Sequence, residues 1–372
     1  MNESTSFTYS VTKERPDEVR EHLCRLWAEN LSSSSSADAK FRWTYCEAPQ
    51  QADAVFMLHA LSGAGEACFV GTNGLAIRRF QLGKGRDGRA GVLSDLAVDQ
   101  AHRGLSPALR LVRAVREFAE QTLDVTYGLP NDKAKGVVAR AGFRVLGTAK
   151  RRVRVLRHAS YASRLGEVRG VPPAVAWLGA KTAGSLPTRL AGAMIDVARL
   201  APAAPEIVRA RSRFRFEWAR QFDSRFDALW SAARGGYDVV GERTASFLAW
   251  RYPKAEIGTI CARATGELRG YCIIDRNPET QKVHIRDVFG HAEDLDALVD
   301  LMLVALWRSG AVSASVSFLG APRLVRILEA RGFELRDDAR TVVVSVGTKD
   351  PEGARLIDES RWHLFDLDED TQ

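Results

Sequence analysis

The sequence predicts a mixed α/β protein in which a basic helical segment joins two similar halves. Three observations predict this fold. The first half shows a strand–helix–strand–helix–strand pattern, the same signals return in the same order in the second half, and the connection between them is strongly basic. We therefore expect two domains at residues 1–155 and 223–349, a linker at 156–222 and a C-terminal tail at 350–372.

The elements of the first half follow from the spacing of its apolar residues. Apolar residues recur at helical spacing in three segments: Glu18–Asn30, Ser106–Gln121 and Lys133–Arg140. Apolar runs and alternation predict four strands: Val55–Leu61, Leu75–Leu82, 92–98 and 125–128. Gly142 follows the last of these helices, where a left-handed glycine commonly ends a helix. The glycine-rich residues 83–91 predict a hairpin turn, because no helix follows them to form a phosphate loop.

Short motifs recur in the two halves at similar spacing, which favours an internal duplication. Each half contains Trp-x-Tyr, with Trp43 in the first and Trp250 in the second, and each contains an aspartate beside apolar residues, Asp95 and Asp287. The glycine of a Gly-Phe pair follows that aspartate by 47 residues in the first half and by 45 in the second. Because the tryptophans recur in both halves, we expect them in the core or at an interface.

Residues 92–115 pass from a strand to a helix through a turn of small residues that contains Arg103 and Gly104. Such a turn lets backbone N–H groups approach a pyrophosphate, and the positive end of a helix beginning near Ser106 attracts its charge. Arg103 can add a charge-assisted hydrogen bond to phosphate. The alternative is an ordinary strand–turn–helix unit in an α/β core.

This turn resembles the central motif of the GCN5-related N-acetyltransferase (GNAT) superfamily, Val-x-Pro-x-x-Arg-Gly-x-Gly-x-Gly/Ala-x-x-Leu. The matching residues are Val98, Arg103, Gly104, Ala108 and Leu111. Gln100 replaces the proline of the motif, and Ser106 replaces its middle glycine. Asn131, Ala134 and the Ala-Gly-Phe at 141–143 also stand at the family spacing.

The resemblance covers Glu18–Val155 and, more distantly, Phe226–Val346, so it implies two tandem GNAT-like domains. It further implies an acyl-CoA-dependent N-acyltransferase with acetyl-CoA as the default donor and no metal. In this family the strands beside the turn splay apart, which frees main-chain carbonyls for the pantetheine arm. The residues that the resemblance implies for cofactor binding are Leu96, Ala97, Val98, Arg103, Gly104, Leu105, Ser106, Ala108 and Asn131.

Acyl transfer to an amine needs an acceptor for the amine proton and an acid for the departing thiolate. The family often uses a carboxylate on the central strand and a tyrosine on a later helix. Asp95 is the nearest strand carboxylate, although its recurrence as Asp287 fits a structural role equally well. Residues 135–138 stand where the family tyrosine belongs and contain none, so Tyr127 and Asn131 are the candidate substitutes.

The second half is expected to keep the fold and to have lost the cofactor. Alignment of the halves sets Gly104 opposite Asp296, with Asp294 and Asp300 nearby. These carboxylates would repel a pyrophosphate. We expect the second half to complete an acceptor pocket or to hold the first half in place.

Positive charge is concentrated between Gly147 and Arg220, where 15 Lys or Arg outnumber four Asp or Glu. The net charge is +11 there and +7 for the whole chain. One interpretation is a linker packed against both halves. The other is an amphipathic helix pair within 150–205 that lies on an anionic membrane surface. An opposed polar stripe and apolar face carry this pattern: Arg189, Asp196 and Arg199 against Leu190, Met194, Val197 and Leu200.

The acceptor is then expected to be a small-molecule amine or an envelope precursor that carries an amine. Residues 209–220 interleave arginines with aromatic residues, a pattern that also suits RNA. Aminoacyl-tRNA-dependent transfer of the Fem type is therefore one alternative, although we do not expect a nucleic-acid partner. A non-catalytic CoA-binding or scaffold protein is the other.

The composition bears on location. The N-terminus has no apolar core of a signal peptide, and no stretch approaches the roughly 18 uncharged residues that a membrane span needs. Five cysteines without paired spacing and histidines without clusters support neither disulfides nor a metal site. We expect a cytoplasmic protein, with the inner face of the membrane as its alternative location. The acidic C-terminal residues 366–370 predict a solvated tail.

Overall fold

The computed structural model describes residues 7–31, 35–50, 54–62, 67–83, 85–161, 173–182, 185–200, 203–348 and 353–369. These residues form one mixed sheet of fourteen strands with helices packed against it. The predicted mixed α/β fold is thereby confirmed.

The first half contains six strands and four helices. The strands are β1 (Thr8–Glu14), β2 (Val55–Leu61), β3 (Ala67–Leu82), β4 (Asp87–Val98), β5 (Val125–Gly128) and β6 (Arg144–Val155). The helices are α1 (Arg20–Asn30), α2 (Ala37–Phe41), α3 (Leu105–Thr122) and α4 (Asp132–Arg140). The predicted helices and strands are present, with ends shifted by a few residues and β3 and β4 longer than expected. Gly142 is left-handed as predicted, with φ +100°. The strand β1 is not among the predicted elements, because its sequence is largely polar.

Both faces of the sheet in the first half carry helices. Val55 and Met57 of β2 pack in the same apolar cluster as α1 and α2. Phe56 and Leu58, which point the other way along the same strand, pack in the cluster that contains α3. The strand β2, whose sequence is a nearly continuous apolar run, is thus buried on both faces of the sheet.

Three described helices lead to the second half, whose order of elements is like that of the first except for an added strand between its first two helices and an added helix and strand at its end. The connecting helices are α5 (Pro173–Thr182), α6 (Leu186–Leu200) and α7 (Ala204–Arg213). The strands that follow are β7 (Phe214–Ala219), β8 (Val239–Gly241), β9 (Glu256–Ala262), β10 (Leu268–Arg276), β11 (Lys282–Gly290), β12 (Ser313–Gly320), β13 (Glu334–Val346) and β14 (Trp362–Leu364). The helices are α8 (Ser224–Ala233), α9 (Ala245–Arg251), α10 (Leu295–Arg308), α11 (Pro322–Ala330) and α12 (Gly353–Leu356). The duplication itself stays a prediction.

The two halves exchange their late strands. The sheet order is β1-β2-β3-β4-β5-β13-β6-β12-β11-β10-β9-β7, so β13 of the second half lies between β5 and β6 of the first. In turn, β6 pairs with β12 from Ser313 opposite Val155 to Phe318 opposite Lys150. The domain boundaries at 155 and 223 stay a prediction, because backbone pairing runs through both halves.

We call the region where strands of the two halves pair the seam. A second set of strand pairs closes it. The end of β3 pairs with β8, β8 pairs with β14, and β14 pairs with β12, which completes a closed path of eight paired strands. Trp362 is fully buried within it, with its ring centroid 6.1 Å from Phe80 and 5.5 Å from Tyr127. The halves therefore share one apolar core at their junction.

The prediction of a solvated acidic tail is wrong for residues 366–369, and Asp370 lies outside the described residues. Residues 362–369 are all buried. Their apolar side chains enter the core, and their carboxylates meet arginines: Asp366 accepts from Arg340 at 2.8 Å, and Asp368 accepts from Arg243 at 2.7 Å. The acidic run resembles a solvated segment in the sequence because the arginines that pair with it, Arg340 and Arg243, lie far away in the chain.

The tryptophans of the repeated Trp-x-Tyr motif form an interface, as expected. The rings of Trp43 and Trp250 stack with centroids 4.5 Å apart. Each indole N–H donates to the backbone carbonyl of the other residue, at 3.4 Å from Trp43 and 3.0 Å from Trp250. The pair joins the first half to the second.

Candidate active site

In the first half the strands β4 and β5 stop pairing part-way along β4, and we refer to the gap between their unpaired ends as the cleft. They pair only from Ala90 opposite Val125 to Val92 opposite Tyr127, although β4 continues to Val98. Beyond Val92 the main chain of β4 has no pairing with β5. This is the splay that the family resemblance implied.

A bulge in β4 lies within the cleft. Opposite β3, the register shifts between Thr72 and Gly74, and one extra residue of β4 is accommodated. Asp95 takes up that distortion with φ +54°, a conformation that is uncommon for any residue other than glycine. Bulges are frequent beside active sites, where they redirect a side chain. The Asp95 carboxylate is nearly buried and forms an ion pair with Lys40 of α2.

Three buried hydroxyl groups surround the bulge. Those of Tyr45, Thr72 and Ser94 have no hydrogen-bond partner within the described part of the chain. The Tyr45 and Ser94 hydroxyls converge on Gly74, where any added side chain would meet both. Burial and the nearby charge of Asp95 raise the pKa of Tyr45 far above its usual range, so this phenol is neutral. Unpaired buried hydroxyls are costly, and a ligand in the cleft would satisfy them.

Sequence reasoning missed this polar cluster. Lys40 and Tyr45 belong to a helical segment far from the phosphate motif, and Tyr45 was noted only as part of Trp-x-Tyr. Thr72 and Ser94 lie on neighbouring strands in an apolar context. The recurrence of Trp-x-Tyr was the one signal for Tyr45, and it pointed to packing.

The turn before α3 is open to solvent. Arg103, Gly104, Leu105 and Ser106 are exposed, and a Cβ built on Gly104 would meet nothing nearer than 3.8 Å. Within the described residues no side chain caps α3, so its first-turn N–H groups remain available. An eighteen-residue helix with a bare N-terminus suits an anionic group.

Arg103 itself is turned toward the protein. Its Nε donates to the carbonyl of Val98 at 3.2 Å, and one terminal nitrogen donates to Asn30 Oδ1 at 2.9 Å. It therefore braces the end of β4 against α1, and one of the carbonyls expected to hold pantetheine is occupied. Leu96 and Ala108 lie partly buried together in the apolar cluster beneath α3, whereas Ala97 and Val98 are buried.

Two of the candidate catalytic residues are placed differently from expectation. Tyr127 is fully buried, and its hydroxyl donates to the carbonyl of Asp368 at 2.5 Å, so the proposal of Tyr127 as the leaving-group acid does not fit its position. Asn131 caps α4, where its Oδ1 accepts from the N–H of Ala134 at 3.0 Å. It lies exposed at the surface.

The matching cleft in the second half is filled by the protein itself. There β11 pairs with β12 only from Lys282 to Ile285. Past that point β14 takes the place beside β12, with Leu364 opposite Leu319. The C-terminal segment thus occupies the gap that stays open in the first half.

Side chains also occupy the backbone of this second gap. His363 Nε2 donates to the carbonyl of Val288 at 2.8 Å, and the Tyr237 hydroxyl donates to the carbonyl of Gly290 at 2.6 Å. When Asp287 is aligned with Asp95, these carbonyls correspond to those of Leu96 and Val98. In the second half, side chains therefore occupy the counterparts of both carbonyls.

Asp287 is a structural residue. It is fully buried, where it accepts from Arg243 at 3.2 Å and from the Tyr271 hydroxyl at 2.8 Å. Burial raises the pKa of Asp287, while the charge of Arg243 opposes that shift. The counterpart of Asp95 therefore holds the core together.

The predicted charge repulsion in the second half rests on the wrong reason. The three aspartates near α10 are each bound by arginine and so are largely neutralised. The pairs are Asp294 with Arg213 and Arg269, and both Asp296 and Asp300 with Arg331. The protein's own groups fill the gap between β11 and β12, and they do not lie at the turn before α10.

Comparison with known families decides the class of the first half. Residues 17–143 match the model of the Acetyltransferase (GNAT) family. This part of the chain is a GNAT acetyltransferase domain. The resemblance drawn from the turn at 103–108 is thereby confirmed. The GNAT domain is, in general class, an acyl-CoA-dependent N-acyltransferase, and the match ends at Phe143, before the exchanged strand β6.

Solved structures share the fold across both halves. A GCN5-related N-acetyltransferase from Kribbella flavida is 13% identical with a TM-score of 0.55, over 91% of this chain and 71% of that one. A probable N-acyltransferase of unknown function from Enterococcus faecalis V583 is 8% identical with a TM-score of 0.60, over 92% of this chain and 73% of that one. A GCN5-related N-acetyltransferase from Anabaena variabilis ATCC 29413 is 11% identical with a TM-score of 0.59, over 91% of this chain and 73% of that one. No curated protein matches the sequence.

Proposed function

We propose that this chain transfers an acyl group, acetyl by default, from acyl-CoA to an amine, and that only the GNAT domain of the first half binds the CoA. One observation carries the proposal. In the first half the main chain of β4 beyond Val92 is not paired with β5 and runs toward the uncapped N-terminus of α3, whereas the equivalent gap of the second half is filled by residues 362–369.

The pyrophosphate would lie at the turn 103–106, where Gly104 leaves room and the first-turn N–H groups of α3 point outward from the helix end. The pantetheine arm would follow the unpaired edge of β4 toward the bulge at Asp95. The thioester then lies beside the polar cluster of Lys40, Tyr45 and Ser94. No metal takes part in this scheme.

The reaction forms a C–N bond as the amine nitrogen attacks the thioester carbonyl, and the C–S bond breaks to release CoA. Asp95 is placed to accept the amine proton, directly or through water, because it is the carboxylate at the bulge. We assign the proton given to the departing thiolate to Tyr45 in place of Tyr127, because the Tyr45 hydroxyl is neutral and has no hydrogen-bond partner among the described residues. The net result is an amide and a thiol.

Isothermal titration with acetyl-CoA tests the proposal. We expect one site per chain, and loss of measurable binding in Gly104→Glu, because a carboxylate would face the pyrophosphate where the extended backbone accepts any residue. Gly235→Glu is the matched control, since Gly235 of the second half also has open space around it. Two sites per chain, or unchanged binding by Gly104→Glu, would refute the proposal.

The same preparation distinguishes the alternatives. Binding of acetyl-CoA without thiol release in the presence of any amine of a broad panel would favour a CoA-binding or scaffold protein. Binding of tRNA without affinity for acetyl-CoA would favour transfer of the Fem type.

A further inference from the structure

Helix α6 packs against the protein through Gly192 and Asp196, which are buried. Four large apolar residues at helical spacing, Leu186, Leu190, Met194 and Val197, lie on its outer face with between 58 and 73% of each exposed. A surface helix of a soluble protein normally shows the reverse arrangement. The described residues leave this apolar face exposed.

The inner face of α6 is fixed to the body of the protein. Asp196 is buried, and its Oδ1 accepts from the backbone N–H of His158 at 3.0 Å and lies 2.6 Å from His158 Nδ1. Gly192 packs so closely that a Cβ there would lie 2.5 Å from the backbone nitrogen of Ala159. These contacts hold the helix with its apolar residues outward.

Helix α5 extends the same surface. The Thr188 hydroxyl of α6 donates to the Thr182 hydroxyl of α5 at 3.1 Å, which ties the two helices together. Trp177 of α5 is 61% exposed, and Lys181 Nζ lies 4.7 Å from the centre of its ring. An exposed tryptophan beside a lysine is typical of a helix at a membrane interface.

The positive charge of this region indicates what kind of surface binds the apolar face of α6. Lys181 and Arg189 are exposed on the helix pair, and the segment 147–220 has a net charge of +11. Part of that charge is used internally, because Arg152 and Arg154 of β6 are buried. Two copies of this face would bring like charges together, whereas an anionic bilayer complements them.

We propose that α5 and α6 bind the surface of an anionic lipid bilayer, with the outer face of α6 and Trp177 inserted at the level of the headgroups. The described residues contain no helix long and apolar enough to span a membrane, and fifteen residues reach only about 22 Å. The helices therefore lie in the plane of the membrane surface.

Flotation of the full chain with vesicles tests this proposal. The vesicles are phosphatidylcholine alone and phosphatidylcholine mixed with phosphatidylglycerol. We expect flotation only with the mixture, weakened by salt, and a fall of at least about tenfold in the partition coefficient of the Leu190→Glu, Met194→Glu double variant. Leu335→Glu, at an exposed apolar residue of β13, is the control and should float like the wild type.

Folding of the double variant is checked separately by its acetyl-CoA titration, which should match the wild type. Equal flotation with both lipid compositions, or equal flotation of the double variant, would overturn the proposal. A third result would also overturn it: the wild type fails to float with vesicles, and light scattering shows a dimer that the Met194→Glu change dissociates. That last result would assign the face to a second copy.

Discussion

Asp95 and Asp287 occupy matching positions, and their neighbours give them different roles. Asp95 lies at a bulge beside Lys40 and near three hydroxyls that have no hydrogen-bond partner in the described part of the chain. Asp287 is sealed in the core by Arg243 and Tyr271. Because a side chain's chemistry depends on what surrounds it, one repeated aspartate can be both a candidate catalyst and a structural group.

Tyr45→Phe removes only the hydroxyl that we place beside the thioester. We expect kcat to fall about tenfold to a hundredfold, as for loss of a general acid, with the Kd for acetyl-CoA unchanged. The measurement is CoA release with the best amine acceptor, followed as free thiol. Tyr127→Phe is the matched control. Its hydroxyl binds Asp368, so it should lower stability by about 1 kcal/mol and leave kcat unchanged. A loss of kcat in the control alone would contradict the assignment.

At the level of elements, the segment 362–369 decides how the two clefts differ. It adds β14 to the seam, and His363 and Asp368 reach buried groups of the second half. Burial and the charge of Arg243 lower the pKa of His363 to about 3. The folded chain therefore holds this imidazole neutral.

That burial makes stability depend on pH. Between pH values of about 3 and 6.5 the unfolded chain takes up a proton at His363 that the folded chain refuses, so stability falls as the pH falls below about 6.5. Compared with His363→Gln, the wild type should lose about 2 kcal/mol more between pH 7 and pH 5, measured by urea unfolding. His22→Gln, at an exposed position of α1, is the control. Parallel losses in wild type and His363→Gln would rule out this account.

At the level of the whole molecule, the exchange of β6 and β13 makes the halves interdependent. The strand β5 has β13 as its neighbour, with Val343 opposite Gly128, and β6 is held by β13 and β12. Without the second half, β5 becomes an edge and β6 loses both neighbours. The GNAT domain is thus completed by a strand from the other end of the chain.

Residues 1–155 produced alone should therefore fail to fold, because the exposed edge and the lost core at Trp362 are not replaced. Circular dichroism should show no cooperative thermal transition. As the control, a full chain cut by a protease site introduced between residues 162 and 170 should keep both fragments together and melt like the intact chain. A cooperative transition in the isolated fragment would show that the exchange is dispensable.

Much of the local structure could be predicted because its causes are local. Apolar spacing defines α1, α3 and α4, and Gly142 ends α4 because glycine tolerates a positive φ. The turn before α3 could be predicted for the same reason, because the small residues that precede the helix are adjacent in the chain; its role as an anion site stays a prediction. The amphipathic pattern of α6 was visible too, but not which face points outward.

By itself, the sequence determined the class of fold, the position of the turn that we propose for the pyrophosphate and the basic character of the middle segment. Only the tertiary structure decided that the acidic C-terminus is buried, that Tyr127 is bound to Asp368 and that Tyr45 faces the bulge. Helical spacing and turn chemistry act between neighbours in the chain. The burial of a charge or a hydroxyl depends on partners hundreds of residues away, and that pairing emerges only when the strands meet.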